Sequence, residues 1–425
     1  MEKALYENYL KILHEELIPA MGCTEPIAVA FAAAKAREVL GRMPERMMVR
    51  SSGNIIKNVK GVVVPNSGGQ KGIAAAAVLG VVGGRPELEL QVISQTTPEQ
   101  IEEAKRLVAA GICDCQLAEG VDNLYIRAEV YAGEESAVVE VRTKHNHISL
   151  IEKNGQVQFQ QPDIETSKAG DKRLLNLKDI LTFANEVEIG DVQELLQRQI
   201  DYNTAISEEG LKNPWGAQVG RTLLESIEHP TLRAQARAAA AAGSDARMNG
   251  CALPVVINSG SGNQGITCTM PVVTYAKALG STQEQLYRAL TLTNLIALHQ
   301  KRYIGNLSAY CGAVSAGTAA ACGIAYLEGA DYEVIGRTIV NAIGNAGGIV
   351  CDGAKASCAA KIATAVEAGI MGYEMARRGR VFPFGEGLVE TDYEQTIRNI
   401  GYMGRVGMQQ TDVTILNLML DKIDA

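Results

Sequence analysis

The residues of this chain best suited to chemistry are its cysteines. Nine occur, at positions 23, 113, 115, 251, 268, 311, 322, 351 and 358, with no Cys-x-x-Cys pair. That pattern argues against zinc-ribbon and thioredoxin-type sites. Cys23 lies in Met21-Gly22-Cys23-Thr24-Glu25-Pro26. Thr24 fits an N-cap there, with Glu25 and Pro26 in the first turn of a helix. The helix dipole at such a position favours a thiolate, although a small apolar plug in a turn fits the same residues. A second set comprises Cys311, in Tyr310-Cys311-Gly312-Ala313, with Cys351 and Cys358 in Gly347-Gly348-Ile349-Val350-Cys351-Asp352-Gly353-Ala354-Lys355-Ala356-Ser357-Cys358. Three thiolates without a fourth could hold a cubane iron–sulfur cluster and leave one iron open, and a glycine-rich loop offers N–H groups to tune it. Each of the three taken alone reads better as a small core residue, and only the three together bring the metal reading level with it.

Three loops rich in Gly, Ser and Asn form the next signal: Ser51-Ser52-Gly53-Asn54, Asn66-Ser67-Gly68-Gly69-Gln70-Lys71-Gly72, and Asn258-Ser259-Gly260-Ser261-Gly262-Asn263-Gln264-Gly265. Any one of them reads as a simple turn. Together they offer the N–H groups, hydroxyls and amides that bind a carboxylate or phosphate in a polar interface pocket. Pyridoxal-phosphate enzymes use similar loops, with Lys57 or Lys71 imaginable as a Schiff-base lysine. His145 and His147 are two apart in a strand-like run and would share a face, as metal ligands, substrate contacts or an exposed pair. Cys113, Cys115, Cys251, Cys268 and Cys322 sit in contexts that look incidental. P-loop, HExxH and GxSxG motifs do not occur, so those cofactor and hydrolase classes lose support.

The elements that must position these residues fall into two textures. Residues 1–45 read as two helices broken at Pro19. Residues 46–200 read as an α/β domain. Its expected strands are 48–50, 62–64, 88–93, 124–131, 137–143 and 147–151, its helices lie near 71–82 and 98–110, and a charged helical connection covers 163–200. Residues 201–425 read as all-helical, Ala-rich segments alternating with Gly/Ser/Asn loops. The predicted fold is therefore α+β, a mainly helical domain carrying an inserted α/β domain, with the first 45 residues packing on the helical body. The 425 residues hold 43 Gly but only 5 Phe, 14 Tyr and 1 Trp, a composition for close packing of small side chains. A net charge of −8 without Lys/Arg blocks argues against nucleic acid. The charged N-terminus and the Ala/Gly-rich character of 309–326 argue against a signal peptide or membrane span, so a cytoplasmic protein is expected.

Gly22-Cys23-Thr24-Glu25-Pro26, Ser259-Gly260-Ser261-Gly262-Asn263-Gln264-Gly265, Cys311-Gly312-Ala313 and Cys351-x6-Cys358 together resemble the L-cysteine desulfidase family, which is related to the α-domain of iron–sulfur L-serine dehydratases. The resemblance covers nearly the whole chain. It implies a [4Fe–4S] cluster held by Cys311, Cys351 and Cys358 in the helical domain, with Cys23 as the separate catalytic cysteine, either base or nucleophile. It also implies β-elimination of L-cysteine to pyruvate, ammonia and hydrogen sulfide. Asn54, Ser67, His145, Ser261, Asn263 and Gln264 are the candidates to hold a small amino-acid substrate, and a homodimer is the expected assembly. An open iron polarises a hydroxyl as readily as a thiol, so L-serine dehydration is the alternative within enzymes. The motifs of the serine dehydratase β domain are not evident, which favours cysteine. A non-enzymatic cysteine or iron–sulfur sensor is the alternative outside them, and it has no need of an isolated helix-terminal thiol.

Overall fold

The computed structural model describes residues 1–161, 169–305 and 307–420. The connection expected from 163 onward falls in part outside the described residues. The chain opens with helix α1 (Lys3–Glu16), short strand β1 (Pro19–Met21) and helix α2 (Thr24–Leu40). Helix α2 is capped by Cys23 rather than Thr24, and it ends at Gly41 with φ 88°, the left-handed stop that favours glycine. Next come β2 (Arg46–Ser51), α3 (Gly53–Lys60), α4 (Ile73–Gly83), α5 (Pro98–Ala109), β3 (Cys113–Leu117), β4 (Tyr125–Ala132), β5 (Glu135–Arg142), β6 (Ile148–Lys153) and β7 (Gln156–Gln160).

Six of these strands form one mixed sheet in the order β3-β2-β4-β5-β6-β7, with only the β2–β3 pair parallel. Two expected strands are absent. Residues 62–64 form a turn joined to Lys71 by a single bridge. Pro86–Gln91 is a 3-10 turn broken at Glu89, whose φ of 46° cannot continue a strand. The apolar residues that suggested a strand instead bury Leu90, Val92 and Ile93 from this turn.

The helical body comprises α6 (Leu177–Glu186), α7 (Ile189–Lys212), α8 (Val219–Glu225), α9 (Leu232–Met248), strand β8 (Pro254–Val256), α10 (Gly262–Leu279), α11 (Gln283–Ile304), α12 (Gly312–Leu327), α13 (Tyr332–Ala346), α14 (Cys358–Ala376), α15 (Tyr393–Tyr402) and α16 (Gln409–Met419). The α+β class holds. Among the described residues, no helix is long and apolar enough to cross a membrane.

The first 45 residues divide between the two bodies. The α1 side chains of Tyr6 and Tyr9 pack their rings on Phe183 of α6. Helix α2 lies instead against α4 and the β4–β5 face of the sheet, which corrects its expected place on the helical body. Its run of Ala and Val is apolar all round and nearly every residue is buried, so it fills the layer between sheet and α4. Strand β1 pairs antiparallel with β8, Ala20 opposite Val255. That two-stranded ribbon joins the halves and brings the segment leading into Cys23 beside the loop leading into α10.

Candidate active site

Directly after β8, Asn258 and Ser261 exchange both backbone hydrogen bonds across a two-residue turn. Its central residues, Ser259 and Gly260, have φ of 52° and 74°, the twist of a type I′ turn. The turn ends at Ser261, the N-cap of α10, whose side chain makes no capping bond. Thr24 Oγ1 donates to Gly260 O at 2.9 Å and so locks the start of α2 to this turn.

Elsewhere, Cys311 N donates to Ile349 O (3.0 Å) and Cys351 N to Ala309 O (2.7 Å), which clasps the loop before α12 to the loop after α13. Cys311 is the N-cap of α12 and Cys358 the first residue of α14. One cavity of about 100 Å3 is lined by Cys23, Cys311, Cys351 and Cys358, with Ser261, Asn263 and Gln264. The start of each of α2, α10, α12 and α14 therefore faces this space. Four positive helix ends converge where thiolates or a carboxylate would gain from them.

Cys23 is 2% exposed and its Sγ donates to Glu25 Oε2 at 3.0 Å. Burial pushes its thiol well up, the Glu25 charge adds to that, and Arg247 offsets only part. The expectation of a thiolate at this helix end is corrected: one first-turn carboxylate and the loss of water outweigh the dipole. Glu25 itself is buried, which would raise its pKa, yet contact with His145 and the bond from Cys23 hold it down to about 2. Asn58 Nδ2 donates to its other oxygen at 3.0 Å. His145 Nε2 stands 3.8 Å from Glu25 Oε1, at ion-pair rather than hydrogen-bond distance.

At the opposite end, the bond from Cys311 holds the Cys351 sulfur down to about 6 against the effect of burial, helped by Lys57, the Gly353 N–H and Lys301. Cys311 is pushed well up by the same contact and by burial, and Cys358 is raised by burial. Lys301, 4% exposed, is lowered by burial to about 8 while the sulfurs of Cys351 and Cys311 oppose that shift. Lys57 pairs with Asp412 and reaches Cys351 O at 3.4 Å.

The donor set fits an iron–sulfur cluster. Three free cysteines face one cavity, two buried lysines offset negative charge beside them, and the buried Tyr310 Oη has no partner. Among the described residues no three His, Cys, Asp or Glu side chains close around a single metal ion. That is compatible with a cubane, where each cysteine binds a separate iron.

Other expected residues lie elsewhere. Ser67 is spent on its own turn, donating to Val64 O (2.6 Å) and accepting from Gln70 N (2.9 Å). Asn54 lines a different hollow, between the start of α3 and α16. His145 lines a larger cavity of about 710 Å3 that Glu89 and Asn146 also border, and it reaches the cysteine site through Glu25. Lys71 is exposed and Lys57 ion-paired, so neither is placed as a Schiff-base lysine. Glu25, Asn58, Arg247 and Lys301 were not anticipated as site residues. Nothing in the sequence around Arg247 sets it apart from Arg233 and Arg237 of the same helix.

Residues 87–417 match the family described as the serine dehydratase alpha chain. Three similar proteins carry the name UPF0597. That of Finegoldia magna is 50% identical, covering 98% of this chain and 100% of its own length. DSY1109 of Desulfitobacterium hafniense is 49% identical, covering 98% and 97%. That of Treponema denticola is 43% identical, covering 99% of each. The convergence of the cysteines and the match over most of the sequence agree: this chain belongs to the serine dehydratase alpha chain family.

Proposed function

We propose that this protein is an iron–sulfur lyase that cleaves L-cysteine to pyruvate, ammonia and hydrogen sulfide. The observation that carries the reading is the meeting of Cys311, Cys351 and Cys358 with a separate, carboxylate-bound Cys23 across one small cavity. Cys311, Cys351 and Cys358 would hold a [4Fe–4S] cluster. When bound, that cluster supplies a Lewis-acidic iron that stabilises the departing sulfur.

The chain's own residues supply the rest. Ser261, Asn263, Gln264 and the opening N–H groups of α10 orient the substrate. Cys23 and Glu25 form a buried proton pair. Cys23 keeps its thiol proton against Glu25 at rest, gives it to the departing sulfur as the acid, and takes the Cα proton in return as the base. Loss of the Cα proton and of the Cβ–S bond gives aminoacrylate, which water converts to pyruvate and ammonia. Burial of the pair keeps bulk water from the carbanionic stage.

A second reading, dehydration of L-serine by the same residues, is favoured by the family match. The test is anaerobic purification followed by iron, sulfide and pyruvate assays with L-cysteine and L-serine. The expected result is about four irons per chain, lost in Cys351→Ala and kept in Cys23→Ala, with sulfide released from L-cysteine by the wild type only. Iron binding that is insensitive to Cys311, Cys351 and Cys358 would overturn the reading. Pyruvate from serine but not cysteine would select the second.

A further inference from the structure

Arg247, the penultimate residue of α9, is 2% exposed and is among the largest fully buried side chains. Buried guanidinium groups are ordinarily paired, because an isolated buried charge is costly. Among the described residues no carboxylate forms an ion pair with Arg247, and its Nε is buried without a partner. Asp245, two residues earlier, points away and accepts the Gly220 N–H at 2.9 Å. Glu25 shares the cavity but is already engaged by Cys23, Thr24 and Asn58.

The place of Arg247 within the cavity is specific. Gly262, the first residue of α10, has no Cβ where one would collide with Arg247 Nε. The guanidinium therefore lies against the start of α10, where the N–H groups of Gly262, Asn263 and Gln264 have no intrahelical acceptor. The Oδ1 of Asn263 and Oε1 of Gln264 are likewise buried and unpaired. The charges divide by end. Lys301 acts on Cys351 and Cys311, whereas Arg247 acts on Cys23.

We infer that Arg247 and the opening N–H groups of α10 form the receptor for the substrate's α-carboxylate. The site then takes small free α-amino acids and rejects amines or thiols that lack the acid. This inference rests on the amino-acid elimination proposed above and adds the residue that selects the class. A planar guanidinium offers a carboxylate two parallel bonds, which a lysine cannot reproduce.

Binding of L-cysteine, L-serine and cysteamine (cysteine without its carboxylate) to anaerobically purified protein, followed by calorimetry, tests it. The wild type binds L-cysteine at least tenfold more tightly than cysteamine. Arg247→Gln weakens L-cysteine about ten- to hundredfold, leaves cysteamine nearly unchanged, and melts no lower than wild type without ligand, because an unpaired buried charge has gone. Arg247→Lys falls between. Gly262→Ala, which keeps the arginine but fills its place, loses the same preference and guards against a misfolded Arg247→Gln. Equal affinity of the wild type for cysteamine and L-cysteine overturns the inference. So does Arg247→Gln with full L-cysteine affinity and normal iron. A carboxylate preference lost in Arg247→Gln, in protein that releases neither sulfide nor pyruvate, upholds the receptor and sinks the elimination reading instead.

Discussion

At the scale of single residues, Glu25 is the group whose ionisation the fold most controls. Its carboxyl is held at about 2 against an ordinary 4.5, because the contact with His145 and the bond from Cys23 outweigh burial. A carboxyl depressed on folding stabilises fully above its unfolded value and loses that contribution as pH falls through the folded one. The stability gap between wild type and Glu25→Gln is therefore expected to be widest near pH 6–7, on the order of 3 kcal/mol at most. It should close between about pH 4.5 and 2. Denaturant titrations across that range check it, and a gap independent of pH would count against the account. Glu25 also holds the proton on Cys23, so Glu25→Gln should bring the onset of Cys23 alkylation by a small reagent to lower pH. Mass spectrometry of that one thiol reads the shift directly. The cysteines of this site stood out from the other five only through the family resemblance, since spacing alone left a small core residue as an equal reading. Glu25 was legible only as a helix-start residue, since sequence does not show that a carboxylate is dry. Ser67 looked like a ligand because turn-forming and ligand-binding residues are the same types.

At the scale of elements, the site depends on how closely α12 and α14 approach, since one begins at Cys311 and the other at Cys358. They touch through Gly317, where a Cβ would come within 2.7 Å of the Ala365 carbonyl carbon. Backbone cannot yield as a flexible side chain can, so Gly317→Ala should force the helices apart and cost roughly 1–3 kcal/mol. Because the same displacement separates Cys311 from Cys358, the variant should also retain less iron than a control of equal stability loss made away from this contact. Iron analysis on both proteins decides it. A matching loss of iron in the two would mean that the spacing carries no special weight. The helical character of this half was readable from its Ala/Gly content, but the pairing of these two helices was not. The same small residues populate nearly every helix of the body, so composition says that helices pack closely without saying which ones. The misread strand at 88–93 has the related cause that a short apolar run does not distinguish strand from turn.

At the scale of the whole molecule, the site draws on residues from 23 to 362, and helix α16 is tied to it through Lys57. Helix α16 buries none of its own residues. It is held to α3 by Leu416 against Gly53 and by the pair between Lys57 and Asp412. Lys57 is 2% exposed and also meets the Cys351 carbonyl, so this ion pair ties the C-terminal helix to the cysteine loop. Removing one partner of a buried pair strands the other and costs on the order of 3–5 kcal/mol if the remaining charge stays buried. In Asp412→Asn the molecule has a cheaper course, because a helix with so little burial can detach locally and let water reach Lys57. Amide exchange in 409–419 should therefore accelerate in this variant, while α9, α12 and α14 keep their protection. Replacing both partners with apolar residues, Lys57→Met with Asp412→Leu, should slow it again, since neither charge is then left alone. Exchange over 409–419 as slow in Asp412→Asn as in the wild type would show that Leu416 and its neighbours, not the ion pair, keep the last helix in place.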